Sequence, residues 1–229
     1  MTPDELCIVV PLYREAAQLP ALWQALQPLR QAGVEVVLVN ASLAPEQADN
    51  TQQIAAALQI PLIEAPKGRA LQMNRGAQCT QRPWLLFLHA DTQLPADVLT
   101  HLGQLPDNAQ WGRFDVRISG RSRGLPMVAC CMNWRSRLTG IATGDQAIFV
   151  RRALFASLGG FPAQPLMEDI ALSRRLRALH RPQCLCSRVT TSGRRWDSYG
   201  LWPTILLMWR LRFAYWRGAS PDLLAARYR

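Results

Sequence analysis

The first half of the chain alternates short apolar runs with longer stretches whose apolar residues recur at helical spacing. Short apolar runs bounded by polar loops indicate strands buried on both faces, as in a parallel sheet. We predict strands at residues 6–11, 34–39, 61–64 and 85–88. We predict helices at residues 16–31, 46–58 and 69–78. This alternation with short loops predicts an α/β fold, with a doubly wound, mostly parallel sheet flanked by helices.

The second half is predicted to add strands and helices in a less regular order. We expect a half-exposed strand at residues 111–119 and a helix at residues 125–138. A further strand is expected at residues 147–150, followed by a helix at residues 170–180. Thr92 and Pro95 can break the chain after the strand at 85–88, so a further helix is expected to start at about Pro95.

Polar loops follow three of the predicted strands, at residues 11–15, 40–42 and 89–92. The carboxyl ends of parallel strands meet at one edge of a sheet, and ligands bind in the crevice outside that edge. An aromatic ring, an amide, two cations and a carboxylate would gather there, namely Tyr13, Asn40, Lys67, Arg69 and Asp91. Such groups can stack and hydrogen-bond a base and hold a diphosphate, directly or through a divalent cation.

Two other interpretations of these residues stay open. An aspartate such as Asp91 often only caps a turn, and this is at least as common as ligand binding. Glu168 and Asp169 begin a predicted helix, where the helix dipole favours acids in any protein. The functional alternative is that one of the two acids is a general base. The chain has neither a G-x-G-x-x-G nor a P-loop pattern, which disfavours dinucleotide binding and excludes a P-loop.

Charge is distributed unevenly along the chain. Residues 1–112 hold six basic and ten acidic side chains, whereas residues 113–229 hold twenty basic and six acidic ones. This asymmetry predicts an anionic partner, which is a phosphorylated substrate, an anionic membrane or a nucleic acid. Nucleic acid is not expected, because aromatic residues do not interleave with the basic ones outside the C-terminal tail.

The six cysteines form no C-x-x-C pair, and no histidine spacing suggests a zinc site. We expect free thiols in a reducing cytosol. No secretion signal and no membrane-spanning run are recognisable, so a cytoplasmic location is predicted, with peripheral attachment to the inner face of the cell membrane as an option.

A very apolar helix is predicted at residues 201–217, where Trp202, Trp209 and Trp216 share one face. Tryptophans at helical spacing more often pack in a core, so packing on the sheet is the preferred interpretation, and forming a wall of the acceptor site is an alternative. A helix lying in an anionic membrane interface is the alternative, because arginines flank the stripe.

Several segments, in this order and spacing, resemble family 2 glycosyltransferases with the GT-A fold. The matching residues are Pro11, Tyr13 and Glu15; His89, Ala90 and Asp91; Gly144, Asp145 and Gln146; Gly159, Gly160 and Phe161; and Glu168 and Asp169. A narrower similarity, which includes Gly68, Arg69, Ala70, Gln72, Met73 and Asn74, is to a small bacterial branch associated with radical-SAM proteins and arsenosugar biosynthesis.

The resemblance implies a role for each matching residue. Tyr13 would lie against the base, and the rest of a nucleotide site would come from Pro11, Glu15, Asn40, Arg69 and Ala90. Asp91 would bind Mn²⁺ or Mg²⁺ on the donor diphosphate. Asp169, or less favourably Glu168, would deprotonate the acceptor hydroxyl. The acceptor side would be formed by Gly144, Asp145, Gln146, Arg195 and Trp196.

The chain departs from the family pattern at three positions. Asn40 stands where the family has an aspartate that accepts a hydrogen bond from the base, and this leaves uracil possible and guanine less favoured. His89 replaces the first aspartate of the D-x-D pattern, and we expect it to have a positional role. Ser192 replaces the glutamine of the Q-x-x-R-W pattern, so processive polymer synthesis is not supported.

The function that follows from the resemblance is an inverting, metal-dependent glycosyltransferase with a nucleotide-sugar donor, favouring UDP, and a hydroxyl acceptor of unknown identity. Residues 1–198 would form the single GT-A domain, with a nucleotide half at 1–110 and an acceptor half at 111–198. Residues 199–229 would form a C-terminal helical tail. The alternatives are a non-catalytic nucleotide-sugar binder and, less favoured, a nucleic-acid-binding module.

Overall fold

A computed structural model of the chain describes residues 1–44 and 49–228. The start of the second predicted helix, at Glu46, lies outside the described residues. The strands are β1 (Leu6–Leu12), β2 (Glu35–Ser42), β3 (Leu62–Pro66), β4 (Trp84–Phe87), β5 (Thr92–Gln93), β6 (Trp111–Ser119), β7 (Phe149–Arg151) and β8 (Gln183–Ser192). The helices are α1 (Leu19–Gln31), α2 (Thr51–Ala57), α3 (Arg69–Gln78), α4 (Val98–Gly103), α5 (Leu125–Thr139), α6 (Arg152–Ser157), α7 (Glu168–Leu179), α8 (Arg194–Tyr199), α9 (Leu201–Trp216) and α10 (Pro221–Tyr228).

The strands of the described residues form one mixed sheet in the order β3-β2-β1-β4-β7-β6-β8-β5. The first four strands of this order are mutually parallel, and β6 is parallel to β8. The strand β7 is antiparallel to β4 and β6, and β5 is antiparallel to β8. The predicted doubly wound, mostly parallel sheet is confirmed. Because β2, β1 and β4 are adjacent and parallel, the loops that follow them meet at one edge, as predicted.

Apolar layers cover both faces of the sheet. In β1, Leu6 and Ile8 face the layer that also contains side chains of α1, α4 and α5. Cys7 and Val9 face the opposite layer, which contains side chains of α3, α6 and α7. This alternation follows from the two-residue period of a strand, and burial on both faces explains why β1 is apolar along its whole length.

Two helix boundaries and the burial of one strand differ from the predictions. The helix α1 begins at Leu19 rather than at residue 16, because Pro20 lies in its first turn, where proline is favoured. The helix expected at about Pro95 begins at Val98, because the two-residue strand β5 follows β4 first. The strand β6 is not half-exposed, because it lies between β7 and β8 and its first six residues are buried.

Several elements were not expected from the pattern, namely β5, α6, β8 and α8, whereas α10 lies in the predicted helical tail. The sequence of β8 is mostly polar, and only Val189 and Thr191 are buried in it. A strand next to the edge strand needs few apolar residues, so its hydrophobic pattern is too weak to identify it.

The C-terminal helices pack on the domain through a small apolar cluster. Leu211 of α9 and Leu224 of α10 contact a group that includes Ile141, Met167 and Ile170. The predicted burial of the tryptophan stripe is wrong, because α9 packs through its opposite face and leaves that stripe exposed. No helix within the described residues has the length and apolarity needed to cross a bilayer.

Candidate active site

The end of β1 and the start of α3 bring an aromatic ring and a cation together. The ammonium of Lys67 lies 4.6 Å from the ring centroid of Tyr13. Asn40 is aligned with Leu12 across β2 and β1 and is 7% exposed. It lines an open pocket of about 260 Å³ beneath β2, together with residues of α2 and β3. The predicted aromatic, amide and cationic groups therefore occupy neighbouring positions at the sheet edge.

The side chain of Gln72 braces the two strand ends that carry these groups. Its amide nitrogen donates to the carbonyl oxygens of Leu12 at 2.7 Å and Val39 at 2.8 Å. The side chain is buried, so both hydrogen bonds are shielded from water. Gln72 thus fixes the backbone immediately before Tyr13 and Asn40.

A second brace from α3 holds the glycine-rich loop. Asn74 donates to the carbonyl oxygen of Phe161 at 2.8 Å and accepts from the Phe161 N–H at 2.9 Å. The preceding Gly160 has φ of +75°, and a β-carbon there would press on the Asn74 side chain. The loop therefore needs glycine at this position.

The adjacent acids Glu168 and Asp169 are the first two residues of α7, at the edge of this site. Glu168 is 3% exposed, and one of its carboxylate oxygens lies 3.6 Å from Nη1 of Arg69. Asp169 is more open and accepts from the Gly144 N–H at 2.8 Å and from the Ile170 N–H at 2.7 Å. The ion pair and the loop hydrogen bond connect the acids to both halves of the chain.

Burial raises the pKa of both Glu168 and Asp169 above the ordinary carboxyl range. The negative charge of Asp169 raises the pKa of Glu168 further, whereas Arg69 opposes the shift. For Asp169, the backbone hydrogen bonds and Arg69 oppose the shift, and Asp145 adds to it. A carboxylate with a raised pKa accepts a proton more readily, which suits a general base.

His89 links β4 to the loop that contacts Asp169. Its Nδ1 lies 3.4 Å from Asp145, and its ring packs against Gly144, where a β-carbon would collide with it. Burial works against ionisation of Asp145, but its interactions with His89 and the charge of Arg69 together outweigh burial and lower the Asp145 pKa. His89, Gly144, Glu168 and Asp169 line one small cavity of about 10 Å³.

Asp91 lies in the turn between β4 and β5, with its side chain 32% exposed. Its carboxylate is 3.5 Å from Nη2 of Arg194, at the start of α8. Among the described residues, no group of three or more histidines, cysteines or acids is placed to hold a metal ion. One carboxylate nevertheless fits Mg²⁺ or Mn²⁺, because such ions are usually held by one or two carboxylates together with substrate phosphates.

Strained backbone occurs next to the site. Among the described residues, four non-glycine residues have positive φ values: Arg14 at 56°, Gln59 at 53°, Ala147 at 46° and Met167 at 66°. Gln59 lies outside the site, whereas Arg14 follows Tyr13, Ala147 follows the turn at Gly144–Gln146, and Met167 precedes Glu168. Such conformations persist where the surrounding structure enforces them, and they cluster at functional sites.

The other residues expected at the site lie at varied depths. Pro11 belongs to β1, Glu15 is half-buried beyond Tyr13, and Ala90 packs partly against the apolar layer. Gln146 is fully buried, and its side chain accepts from the Thr143 N–H at 3.2 Å, so it shapes the turn.

The side chains of Arg195 and Trp196 contact different parts of the molecule. Arg195 donates to the carbonyl oxygen of Tyr228 at 2.5 Å and stacks on the Tyr228 ring at 3.9 Å. Trp196 packs against the apolar layer beside Leu201. The charges of Arg69, Asp145 and Asp169 also influence the pKa of Tyr228, after burial and the charge of Arg195. Burial is the main cause of the raised Tyr228 pKa.

Three contacts were not identified from the sequence. Gln72 and Asn74 belong to the narrower matching segment, but no role was assigned to them. Arg194 precedes the Arg195 and Trp196 pair, and only the fold shows that it faces Asp91. The matching segment that contains Gln72 and Asn74 could have indicated their contacts, because a buried amide side chain needs hydrogen-bond partners.

A family model described as glycosyl transferase family 2 matches residues 7–120. The PGL/p-HBAD biosynthesis glycosyltransferases of Mycobacterium tuberculosis and Mycobacterium bovis are 28% identical to this chain over 170 residues. The match covers 70% of this chain, and it spans only 64% of the length of those relatives. These names support the family and leave the narrower radical-SAM-associated branch a prediction.

Solved structures share the fold. A mannosyltransferase from Pyrobaculum calidifontis, in complex with GDP-Man and Mn²⁺, aligns with a TM-score of 0.64 and 18% identity over 99% of this chain and 70% of its own. Glucosyl-3-phosphoglycerate synthase from Mycobacterium tuberculosis, in complex with Mg²⁺ and UDP, aligns with a TM-score of 0.57 and 17% identity, over 81% of this chain and 69% of its own. The S. aureus TarS fragment 1–349, in complex with UDP-GlcNAc, aligns with a TM-score of 0.62 and 16% identity, over 84% of this chain and 58% of its own.

Proposed function

The chain belongs to glycosyl transferase family 2, and from this we propose that it moves a sugar from a nucleotide diphosphate donor to a hydroxyl acceptor with inversion at the anomeric carbon. The observation that carries the proposal is the connection between the two halves of the site. Arg69, at the nucleotide edge, forms an ion pair with Glu168. Asp169, which follows Glu168 in the chain, accepts a hydrogen bond from the Gly144 N–H on the proposed acceptor side.

The nucleotide edge would bind the donor. Tyr13 would stack on the base, and Asn40 would accept from a base N–H with its amide oxygen while its NH₂ donates to a carbonyl oxygen. Uracil presents such a neighbouring pair, so a UDP-sugar is the proposed donor. Lys67, Arg69 and Arg194 would attract the diphosphate charge.

Asp91 is the proposed protein ligand of Mn²⁺ or Mg²⁺. Bound there, the ion would stabilise the negative charge that develops on the departing diphosphate. His89 is not proposed as a ligand, because its ring is engaged by Asp145 and packed on Gly144. This packing fits the positional role predicted for it.

Asp169 is the proposed base. It would take the proton of the acceptor hydroxyl as the acceptor oxygen forms its bond to the anomeric carbon. The bond from that carbon to the donor phosphate oxygen breaks, and the nucleoside diphosphate leaves with the electron pair. A single displacement of this kind inverts the anomeric centre, by analogy with glycoside hydrolysis in one step.

Gly144, Asp145, Arg195 and Trp196 remain the proposed acceptor side, whereas the buried Gln146 would only shape the turn that carries the first two. Residues 1–110 and 111–198 remain the two proposed functional halves. The proposed location is the cytoplasm, with peripheral attachment to the inner face of the cell membrane. Nucleic acid is not a proposed partner.

Thermal unfolding against UDP, GDP, CDP, ADP and TDP, each with and without Mn²⁺, tests the donor assignment. A ligand at a hundredfold its Kd adds about 2.7 kcal/mol to stability, which for this size raises Tm by roughly 5–10 °C. We expect a shift for UDP that requires the metal. Asp91→Asn should lose the metal-dependent part of the shift.

The outcomes separate the alternatives. A shift without sugar transfer to any of a range of hydroxyl acceptors would favour a non-catalytic nucleotide-sugar binder. No shift with any nucleotide would contradict the proposed donor site. An Asp91→Asn variant that keeps the full metal-dependent shift would show that Asp91 is only a turn residue.

A further inference from the structure

The outer face of α9 presents a continuous aromatic stripe. Trp202, Trp209 and Trp216 are 65%, 69% and 71% exposed, and Leu206 and Phe213 between them are also exposed. Spacings of four and three residues keep all five side chains on one face. We propose that this stripe docks α9 on the surface of an anionic lipid bilayer.

The stripe is not needed to hold α9 in the fold. The helix packs on the domain through its opposite face, where Thr204 and Leu211 are buried and Leu207 and Tyr215 contact the same cluster. A helix that is apolar on both faces is expected to be buried on both, in a core or in lipid. In the described chain, one of the two faces is left exposed.

The arrangement of charge around the stripe identifies the partner. Arg210 and Arg217 border one side of the stripe and Arg212 borders the other. No acidic residue occurs between residues 198 and 221. An apolar centre with a basic border matches a bilayer, where aromatic rings sink to the acyl boundary and arginines meet anionic headgroups.

Other partners fit this arrangement less well. A second copy docking through the same face would place arginines opposite arginines, which repel. A nucleic acid would be contacted mainly through its phosphates, yet here the arginines lie beside the aromatic rings instead of forming the centre of the face. Tryptophan favours the boundary between water and lipid, because its ring is apolar and its N–H is polar.

Docking would also orient the site, although this consequence rests on the proposed function. Leu211, on the inner face of α9, belongs to the same apolar cluster as Met167 and Ile170, which flank the acid pair. A bilayer beneath α9 would therefore lie close to the acceptor side. Acceptors with a lipid-soluble part would be concentrated there.

Vesicle flotation of the full chain tests the docking. We expect binding to vesicles of 70% phosphatidylcholine and 30% phosphatidylglycerol, weaker binding to pure phosphatidylcholine, and weakening as salt rises. The variant W209S/W216S should reduce the partition constant on the order of a hundredfold, since each buried large apolar side chain contributes roughly tenfold. Arg210→Gln with Arg217→Gln should remove most of the preference for anionic vesicles.

Matched controls come from other surfaces. Leu58→Ser with Leu179→Ser removes two exposed apolar side chains elsewhere, and Arg75→Gln with Arg174→Gln removes two exposed arginines. Both should bind as the unaltered chain does. The nucleotide-induced thermal shift, measured on every variant, reports the proposed function independently and should not change.

Three results would overturn the docking. The first is an absence of binding to anionic vesicles. The second is equal binding by W209S/W216S, which would place the contact elsewhere on the surface. The third is a dimer of the unaltered chain that W209S/W216S converts to monomer without any vesicle binding, which would assign the stripe to a second copy.

Discussion

Adjacent positions in the chain give Glu168 and Asp169 different surroundings. Glu168 is almost fully buried and is neutralised by Arg69, whereas Asp169 is more open and is held by two backbone N–H groups. A base must reach its substrate, so exposure and fixed orientation both favour Asp169 over Glu168. Although the two acids are adjacent in the sequence, they therefore differ in burial and in the groups that they contact.

We predict that Asp169→Asn lowers kcat by 10²-fold or more, roughly the range that a positioned base contributes. The amide keeps the size of the side chain but accepts no proton. Nucleotide-induced thermal stabilisation should stay near that of the unaltered chain, because Asp169 does not line the nucleotide edge. Transfer assays with residual activity close to that of the unaltered chain would contradict the assignment.

Glu168→Gln should change the pH profile. The base works when ionised, and the raised pKa of Asp169 predicts that kcat/KM falls on the acid side at a higher pH than for an ordinary carboxylate. Removing the neighbouring negative charge should lower the pKa of Asp169 and move this acid limb to lower pH. The profile of kcat/KM against pH measures the shift.

The exposed acid Asp107 supplies the control for that experiment, because Asp107→Asn should leave the acid limb in place. An unchanged limb in Glu168→Gln would mean that the two acids are not electrostatically coupled. A limb that moves to higher pH would mean that Arg69, once it has lost its ion pair with Glu168, stabilises ionised Asp169 less, and that this effect outweighs the loss of repulsion between the two acids.

At the scale of elements, α3 connects the separate parts of the site. Arg69 at its start reaches Glu168, Gln72 braces the ends of β1 and β2, and Asn74 holds the loop at Phe161. Gly76 lets the same helix lie against the sheet, since a β-carbon there would collide with Val9. The position of α3 therefore sets the spacing between the nucleotide edge and the acids.

We predict that Gly76→Ala destabilises the chain by about 1–3 kcal/mol, the usual cost of overpacking. The sign is opposite to the ordinary gain from replacing a helical glycine with alanine. Because α3 must move away from β1 and β2, the nucleotide-induced shift should also weaken. Denaturant unfolding measures the first effect and thermal shift the second.

Gly103→Ala in α4 is the matched control, since the nearest atom to its new β-carbon would be 3.6 Å away, an ordinary contact. This variant should be neutral or slightly more stable. A stabilised Gly76→Ala would show that α3 is not packed as closely on the sheet as the structure indicates.

At the scale of the whole molecule, the C-terminal helices complete the domain and support its site. The cluster around Leu211 and Leu224 holds Met167 and Ile170 on either side of the acid pair, and Tyr228 meets Arg195. The strongly basic second half also contributes Arg194, which faces Asp91, to a site whose proposed ligand is a diphosphate. The positive charge of this half is expected to attract anionic ligands, and it does not determine the fold.

We predict that Leu224→Ala costs about 2–5 kcal/mol of stability, because it leaves a cavity in this cluster. Sugar transfer should fall more than nucleotide binding, since the cavity lies behind the acids and away from Tyr13 and Asn40. Denaturant unfolding, transfer rates and nucleotide-induced shifts measure these three effects.

The adjacent residue provides the control, because Leu223 is 62% exposed whereas Leu224 is fully buried. Leu223→Ala should change stability by no more than about 0.5 kcal/mol. If Leu224→Ala lost nucleotide binding and transfer equally, the tail would support the whole domain and not the acid pair in particular.

The parallel core and its ligand edge could be predicted from the sequence alone. Strands such as β1 and β4 are buried on both faces, and this produces continuous apolar runs that stand out in a sequence. The order of the strand-end loops then placed Tyr13, Asn40 and Asp91 on one side. The ordered set of matching residues was also sufficient to identify the family, because it depends only on residue type and spacing.

How the second half completes the site depends on tertiary packing. The strand β8 has a weak apolar pattern, and the contacts of Arg194 with Asp91 and of Gly144 with Asp169 join residues far apart in the chain. Spacing along the sequence carries no information about such contacts. The exposure of the tryptophan stripe was equally undetermined, because α9 is apolar on both faces, and packing alone chose which face is buried.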